Sequence, residues 1–133
     1  MSSATADDLS GIPLFDTLEP DKRATIAPWF ELEDVSPGVN LTGEGASGYS
    51  FFVLRDGTAT VTVNGIEVRN LGPGDFFGEL ALLGDGRRTA TVTTATPSQV
   101  LVLFGTEFRR LQQEHPEIAD RIESALRQVA QVA

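Results

Sequence analysis

Between Glu31 and Phe104 the apolar residues fall in short runs cut by turn residues, the pattern of a strand-rich domain. Glu31–Val35 alternates weakly, and Ser36-Pro37-Gly38 turns the chain into a second strand at Val39–Thr42. A loop at Gly43–Gly48 precedes Tyr49–Leu54, which is strongly β-prone, and Asp56-Gly57 reverses it. In Thr58–Val63 the residues Ala59, Val61 and Val63 alternate with threonines, as in a half-buried strand. Asn64-Gly65 is a two-residue hairpin turn, and Ile66–Leu71 returns. Gly72-Pro73-Gly74 marks a tight turn before a short strand at Asp75–Phe77. Two further strands, Arg88–Thr94 and Val100–Phe104, are separated by Thr96-Pro97-Ser98. Strands this short and regularly spaced predict a double-layered β-roll or jelly roll.

Helical patterns flank the strands. Residues 1–10 are small and polar and predict a disordered leader, with order beginning at Ile12, Leu14 and Phe15. Pro20 suits the first turn of a helix whose apolar face is Ala24, Ile26, Ala27 and Phe30, and Pro28 limits it. After the strands, Thr106 is a candidate N-cap for a helix over Glu107–Glu114. Pro116 opens another helix, with His115 near its cap. Ile118, Ile122, Leu126 and Val129 form one apolar stripe at helical spacing. The stripe is too short for a strong coiled coil by itself. It predicts packing against the strands, a lid, or a homodimer seam. Residues 11–133 thus read as one domain, with the roll at about 31–104 and the C-terminal helices at about 106–131.

Composition narrows the chemistry. The chain has 133 residues, no cysteine and one histidine. Disulfides, thiolate metal sites, cysteine nucleophiles and multi-histidine metal sites are therefore excluded within one chain. The net charge of −9 argues against a nucleic-acid surface and an anionic membrane. The N-terminus has neither the basic start nor the apolar core of a signal peptide, and no apolar run approaches spanning length. A cytoplasmic location is the expectation. Asn40-Leu41-Thr42 fits a glycosylation sequon and reads as strand sequence.

Special residues concentrate in Leu71–Val92, which holds five glycines, Glu79, Arg87, Arg88, Thr89 and Thr91. Gly78, lacking a Cβ, allows close backbone approach. Glu79–Leu83 favours a single helical turn, whose free amides attract an anion at its N-terminus. Gly84-Asp85-Gly86 reverses the chain and lets Arg88 return toward that spot, where its fork suits a phosphate. Glu79 beside an anion is better placed to accept from a sugar hydroxyl. Phosphate plus ribose points to a nucleotide.

The ordered combination resembles the phosphate-binding cassette of the cyclic-nucleotide-binding domains. Phe77-Gly78-Glu79-Leu80-Ala81-Leu82-Leu83 and Arg88-Thr89-Ala90-Thr91-Val92 match its two halves, with Glu79 and Arg88 nine positions apart. Arg87-Arg88-Thr89-Ala90 looks most like the version in cyclic-nucleotide-gated channels; many members carry proline where Arg87 stands. The stretch from Pro13-Leu14-Phe15 to Leu18 also looks similar, and the resemblance extends from about Leu14 to Val129. It implies an eight-stranded β-roll with an N-terminal helix and C-terminal helices. It implies that Arg88 pairs with the cyclic phosphate, that the amides of Leu80 and Ala81 bond it, and that Glu79 accepts from the ribose 2′-hydroxyl. Gly78 leaves room for the ribose, and Thr89 adds a hydroxyl to phosphate or base. Val61 and Val68 are inward positions that line the base and ribose, or serve as ordinary core. The implied ligand is cAMP, with cGMP as the alternative because threonine at the Thr89 position often accompanies it in the family. The expectation is a non-catalytic sensor, without cofactor, acting on a protein effector through its C-terminal helix. The chain would be a stand-alone domain or part of a longer protein. The alternatives are a domain that kept the fold but lost the ligand and serves as an interaction module, and a cupin-type enzyme. The single histidine, outside the roll, counts against the last.

Overall fold

The computed structural model describes residues 2–42, 50–77 and 90–132, with side-chain burial defined up to residue 124. Among the described residues eight strands build the roll: β2 (Glu31–Val35), β3 (Asn40–Thr42), β4 (Ser50–Asp56), β5 (Ala59–Val63), β6 (Ile66–Leu71), β7 (Phe76–Phe77), β8 (Thr91–Thr94) and β9 (Ser98–Phe104). A two-residue strand, β1 (Ser2–Ser3), adds to the edge. One antiparallel sheet runs β1-β2-β9-β4-β7 and the other β3-β8-β5-β6. This is the mainly-β roll with flanking helices that the strand pattern predicts.

Two strands at the centre of the larger sheet are apolar on both faces. Along β4, Phe51 and Val53 point into one core while Phe52 and Leu54 point into another. Along β9, Leu101 and Leu103 join the first core and Val100 and Val102 the second. The alternation follows from the two-residue period of a strand. The second core fills the space between the sheets, with Val35, Ala59, Leu71, Phe77 and Val92. The first lies between the larger sheet and the helices.

Those helices are α1 (Ala6–Leu9), α2 (Pro13–Asp16), α3 (Pro20–Ile26), α4 (Gly105–Glu114) and α5 (Pro116–Val132), with a 3-10 turn at Ala27–Trp29. Pro20 occupies the first turn of α3, and Pro28 falls in the 3-10 turn that ends it. Phe15 and Phe30 meet edge to face at 5.2 Å in the core, beside Phe108, Leu111, Ile118 and Ile122 from α4 and α5. The first half of the C-terminal apolar stripe is thus core; Leu126 and Val129 lie beyond the described side chains.

Two expectations are corrected. The leader is structured: β1 pairs with β2, Ala4 is 3% exposed and Leu9 fully buried. Small polar composition hid this, because the segment is held by contacts made elsewhere. Arg55 of β4 donates from Nε to the Asp8 carbonyl at 3.2 Å, and its guanidinium sits 3.5 Å from the Asp8 carboxylate. The Arg55 guanidinium also donates to Gln99, which donates in turn to Asp34 at 3.1 Å. The second correction is at α4, which starts at Gly105 with Phe104 as its N-cap residue and no side-chain cap. β9 runs straight into the helix, so Thr106 lies inside it rather than capping it. His115, as expected, lies at the junction: its amide closes α4 on Leu111 and its carbonyl accepts from Ile118 and Ala119 at the start of α5.

Two measurements check this architecture. Leu9→Ala should lower unfolding stability by about 2–5 kcal/mol in urea melts, the usual cost of emptying a buried leucine site; a disordered leader would give no change. Gly57→Ala should cost about 1–3 kcal/mol for its left-handed backbone (φ +91°) plus a clash, since the added Cβ would lie 2.6 Å from the Pro97 carbonyl oxygen and closer still to Ser98 Oγ. Gly65→Ala, with φ +76° and open space around it, should show the backbone cost alone.

Candidate functional site

The stretch singled out by its chemistry is bracketed by well-anchored strands. Upstream, the Gly72–Asp75 turn is tied to β4: the Gly74 amide donates to the Leu54 carbonyl at 2.7 Å, and the Leu54 amide to the Asp75 carbonyl at 2.8 Å. The Asp75 carboxylate accepts from the Gly72 amide at 2.8 Å, closing the turn on itself. β7 follows, with Phe77 opposite Phe52 and Phe76 opposite Val53. Phe77 stacks on Phe52 in the roll interior at 4.9 Å and 10° between planes. Phe76 turns the other way and meets Phe51 at 5.7 Å, packed against the helical core.

Downstream, β8 pairs with β3 and β5. Its last residue, Thr94, is 2% exposed, yet its polar atoms are satisfied. Its hydroxyl donates to the Ser36 carbonyl at 2.6 Å and accepts from the Val39 amide at 3.0 Å. Its carbonyl accepts from Gly38 at 2.7 Å. β7 thus ends in the larger sheet at Phe77, and β8 begins in the smaller one at Thr91.

Of the expected site residues, Gly78, Glu79, Leu80, Ala81, Arg88 and Thr89 lie outside the described residues. Val61 and Val68 are described, and the structure separates them. Val61 is half-buried and packs on the roll interior. Val68 is 57% exposed, so its reading as ordinary core is corrected, and its expected place beside base and ribose belongs with the proposed function. The β5–β6 ladder carries a β-bulge here. The Asn64-Gly65 turn, with both residues at positive φ, pairs Val63 with Ile66 and Thr62 with Glu67. Continued without interruption, this register would set Val68 opposite Val61. The register shifts there, and Arg69 stands opposite Val61 instead. A bulge leaves no reliable mark in one sequence, so the pairing of Arg69 with Val61 is visible only in the structure.

His115 lies edge-on to Trp29 at 6.3 Å, and the Arg110 guanidinium sits 5.1 Å over the Trp29 ring. This aromatic cluster staples the 3-10 turn to the α4–α5 junction and is remote in role from the roll interior. A cleft of about 470 Å³ opens among Asp34, Val35, Ser36, Pro37, Asp56, Pro97, Ser98 and Gln99. Among the described residues it is lined by two carboxylates and by no basic side chain, a lining ill suited to a phosphate. Among the described residues no group of three or more acidic, histidine or cysteine side chains could hold a metal, and no helix is long and apolar enough to cross a membrane.

With this geometry in view, the comparisons are specific. The family described as "Cyclic nucleotide-binding domain" matches residues 32–115. The cAMP-dependent protein kinase regulatory subunit of Colletotrichum orbiculare is 40% identical over 107 residues, which cover 79% of this chain and 27% of that protein. The chain thus spans about a quarter of the length of that relative. Among solved structures, a second cyclic-nucleotide-binding domain of a protein kinase A regulatory subunit with Sp-2Cl-cAMPS bound superposes with a TM-score of 0.73 at 30% identity, covering 93% of this chain and 85% of that one. The regulatory domain of Toxoplasma gondii protein kinase A with cAMP gives 0.81 at 25% identity, covering 96% and 49%. The chain belongs to the cyclic-nucleotide-binding domain family.

Proposed function

We propose that this chain is a non-catalytic sensor domain that binds a cyclic 3′,5′-nucleotide, cAMP among them, and reports occupancy through its C-terminal helices to a protein effector in the cytoplasm. The observation that carries the reading is the motif Phe77–Leu83 with Arg88–Val92, set between β7 and β8 in a chain of this family. The relatives are named regulatory subunits of a cAMP-dependent kinase, so a kinase catalytic chain is the effector class that fits. Two named structural relatives hold cAMP or a close analogue of it.

The chemistry assigns each residue a task. Arg88 neutralises the phosphate with a bidentate fork, helped by the amides of Leu80 and Ala81. Glu79 accepts from the ribose 2′-hydroxyl, and a deoxyribose would leave that carboxylate without its partner. Gly78 leaves room for the sugar, and Thr89 adds a hydroxyl donor. Val61 lies on the interior face that a ribose or base would meet.

The strand leading into the motif also offers a path for the signal. Phe77 belongs to the roll interior and Phe76 packs on the core shared by Phe108, Leu111, Ile118 and Ile122. A displacement of β7 on binding would be passed to α4 and α5 through the core they share with Phe76 and Phe51. Such coupling requires that the nucleotide bind one arrangement better than the other. Pairing of two copies along the C-terminal helix belongs to the same proposal, because the outer half of the α5 stripe, Leu126 and Val129, continues its apolar spacing.

Thermal-shift measurements test the reading directly. At 100 times its dissociation constant, cAMP or cGMP should stabilise the fold by about 2.7 kcal/mol, while 5′-AMP and 5′-GMP should do much less. No shift with either cyclic nucleotide would reject the sensor and favour a domain that retains the fold as an interaction module. In titration calorimetry, Arg88→Ala should weaken binding by about 2–5 kcal/mol; unchanged affinity would remove Arg88 as the phosphate ligand.

A further inference from the structure

The larger sheet has an edge that is covered only in part. β1 pairs with Glu31 and Leu32 of β2, and β2 continues to Val35. In an antiparallel ladder, successive residues turn their amide and carbonyl to alternate sides. The Ala4 amide donates to the Phe30 carbonyl at 2.9 Å, so Phe30, Leu32 and Asp34 face the β1 side while Glu31, Glu33 and Val35 face β9. Carried across the sheet, the same alternation turns Leu54 toward β7, and its amide and carbonyl are bonded on that side. Asp34 therefore presents an amide and a carbonyl beyond the end of β1, and neither has a partner among the described residues. An open pair of this kind is a template for another strand.

The cleft of about 470 Å³ lies at this edge. Its lining combines apolar Val35, Pro37 and Pro97 with the carboxylates of Asp34 and Asp56. Asp34 stands opposite Gln99, and Gln99 opposite Asp56, so the two acids share a row two strand spacings, about 10 Å, across. Gln99 between them is committed, donating to Asp34 and accepting from Arg55, and Arg55 is held by Asp8. Neither Asp34 nor Asp56 is in an ion pair among the described residues.

We propose that this edge and its cleft dock an extended basic segment of a partner protein, which pairs with β2 at Asp34 beyond the end of β1. The inference concerns a surface apart from the nucleotide motif and goes beyond the sensor reading. β1 shows that the edge accepts an added strand. An incoming segment exchanges two backbone bonds with Asp34, as in other strand additions. The side chain directly opposite Asp34 shares its face, and opposite charges suit such a pair. Arginine or lysine also matches the cleft, because the aliphatic stem covers valine and proline while the head meets a carboxylate. The net charge of −9 draws a basic segment in and repels an acidic one.

The test is fluorescence anisotropy of the full chain with a labelled, end-capped Thr-Arg-Thr-Arg-Thr peptide, with Thr-Glu-Thr-Glu-Thr as the control. Wild type should bind the arginine peptide and not the glutamate one. Asp34→Asn combined with Asp56→Asn should weaken binding by about 5- to 30-fold, the sum of two cross-strand or rim charge pairs. Asparagine keeps the acceptors used by Gln99 and the Gly57 amide, both positions are exposed, and melting curves verify the fold. N-methylation of the arginine amides in the peptide should cost a further 2- to 10-fold or about that, the worth of a lost hydrogen bond. Hydrogen exchange at the Asp34 amide should slow when the arginine peptide is present. No binding at millimolar peptide, equal binding of both peptides, or an unchanged affinity in the double variant would overturn the inference. Equal binding of the N-methylated peptide, or an unprotected Asp34 amide, would also overturn it and leave simple attraction between opposite charges.

Discussion

Strands β4 and β9 carry apolar side chains on both faces, and each face has to be covered. That requirement organises the molecule. Phe52, Leu54, Val100 and Val102 are covered by the second sheet, which makes the roll. Phe51, Val53, Leu101 and Leu103 are covered by helices from both ends of the chain, including the first nine residues. Fully burying one such side chain is worth about 1.5–3 kcal/mol, so leaving either face open would cost more than a small domain can lose. The N-terminal segment is ordered for this reason, although little in its composition favours order.

The same two-faced sheet explains where a ligand site can connect to a response. β7 is only two residues long, yet it spans both cores, because neighbouring side chains on a strand point in opposite directions. One phenylalanine touches the roll interior and the next touches the helical layer. The segment that follows must cross from one sheet to the other, and its two anchors are fixed by the Gly72–Asp75 turn and by buried Thr94. The upstream strand reaches the helical core through Phe76, which packs on the cluster that α4 and α5 share.

Most strands were legible because their signals are local. Glu31–Val35 and Ile66–Leu71 appear as read, and Asn64-Gly65 makes the turn that its two left-handed residues favour. Pro20 and Pro116 open helices for an equally local reason. The misreadings arise where a distant partner decides. Leu9 is buried in a core that also draws on β4, β9 and the C-terminal helices, and Arg55 holds Asp8 across the fold. Thr106 is not a cap because β9 feeds directly into the helix. Arg69 and not Val68 pairs with Val61 because one extra residue enters the β5–β6 ladder.

By itself, then, the sequence determined the order of strands and helices, the family-like motif from Phe77 to Val92 and the chemical types available to a nucleotide. Those properties reside in turn residues, periodicity and residue identity, all of which act over a few neighbours. Tertiary structure alone decided which face of β6 looks inward, that the N-terminus closes the helical core, and that Phe76 and Phe77 serve two different cores. Each depends on pairing register and packing between segments tens of residues apart, where the free energy belongs to the contact and to neither partner alone.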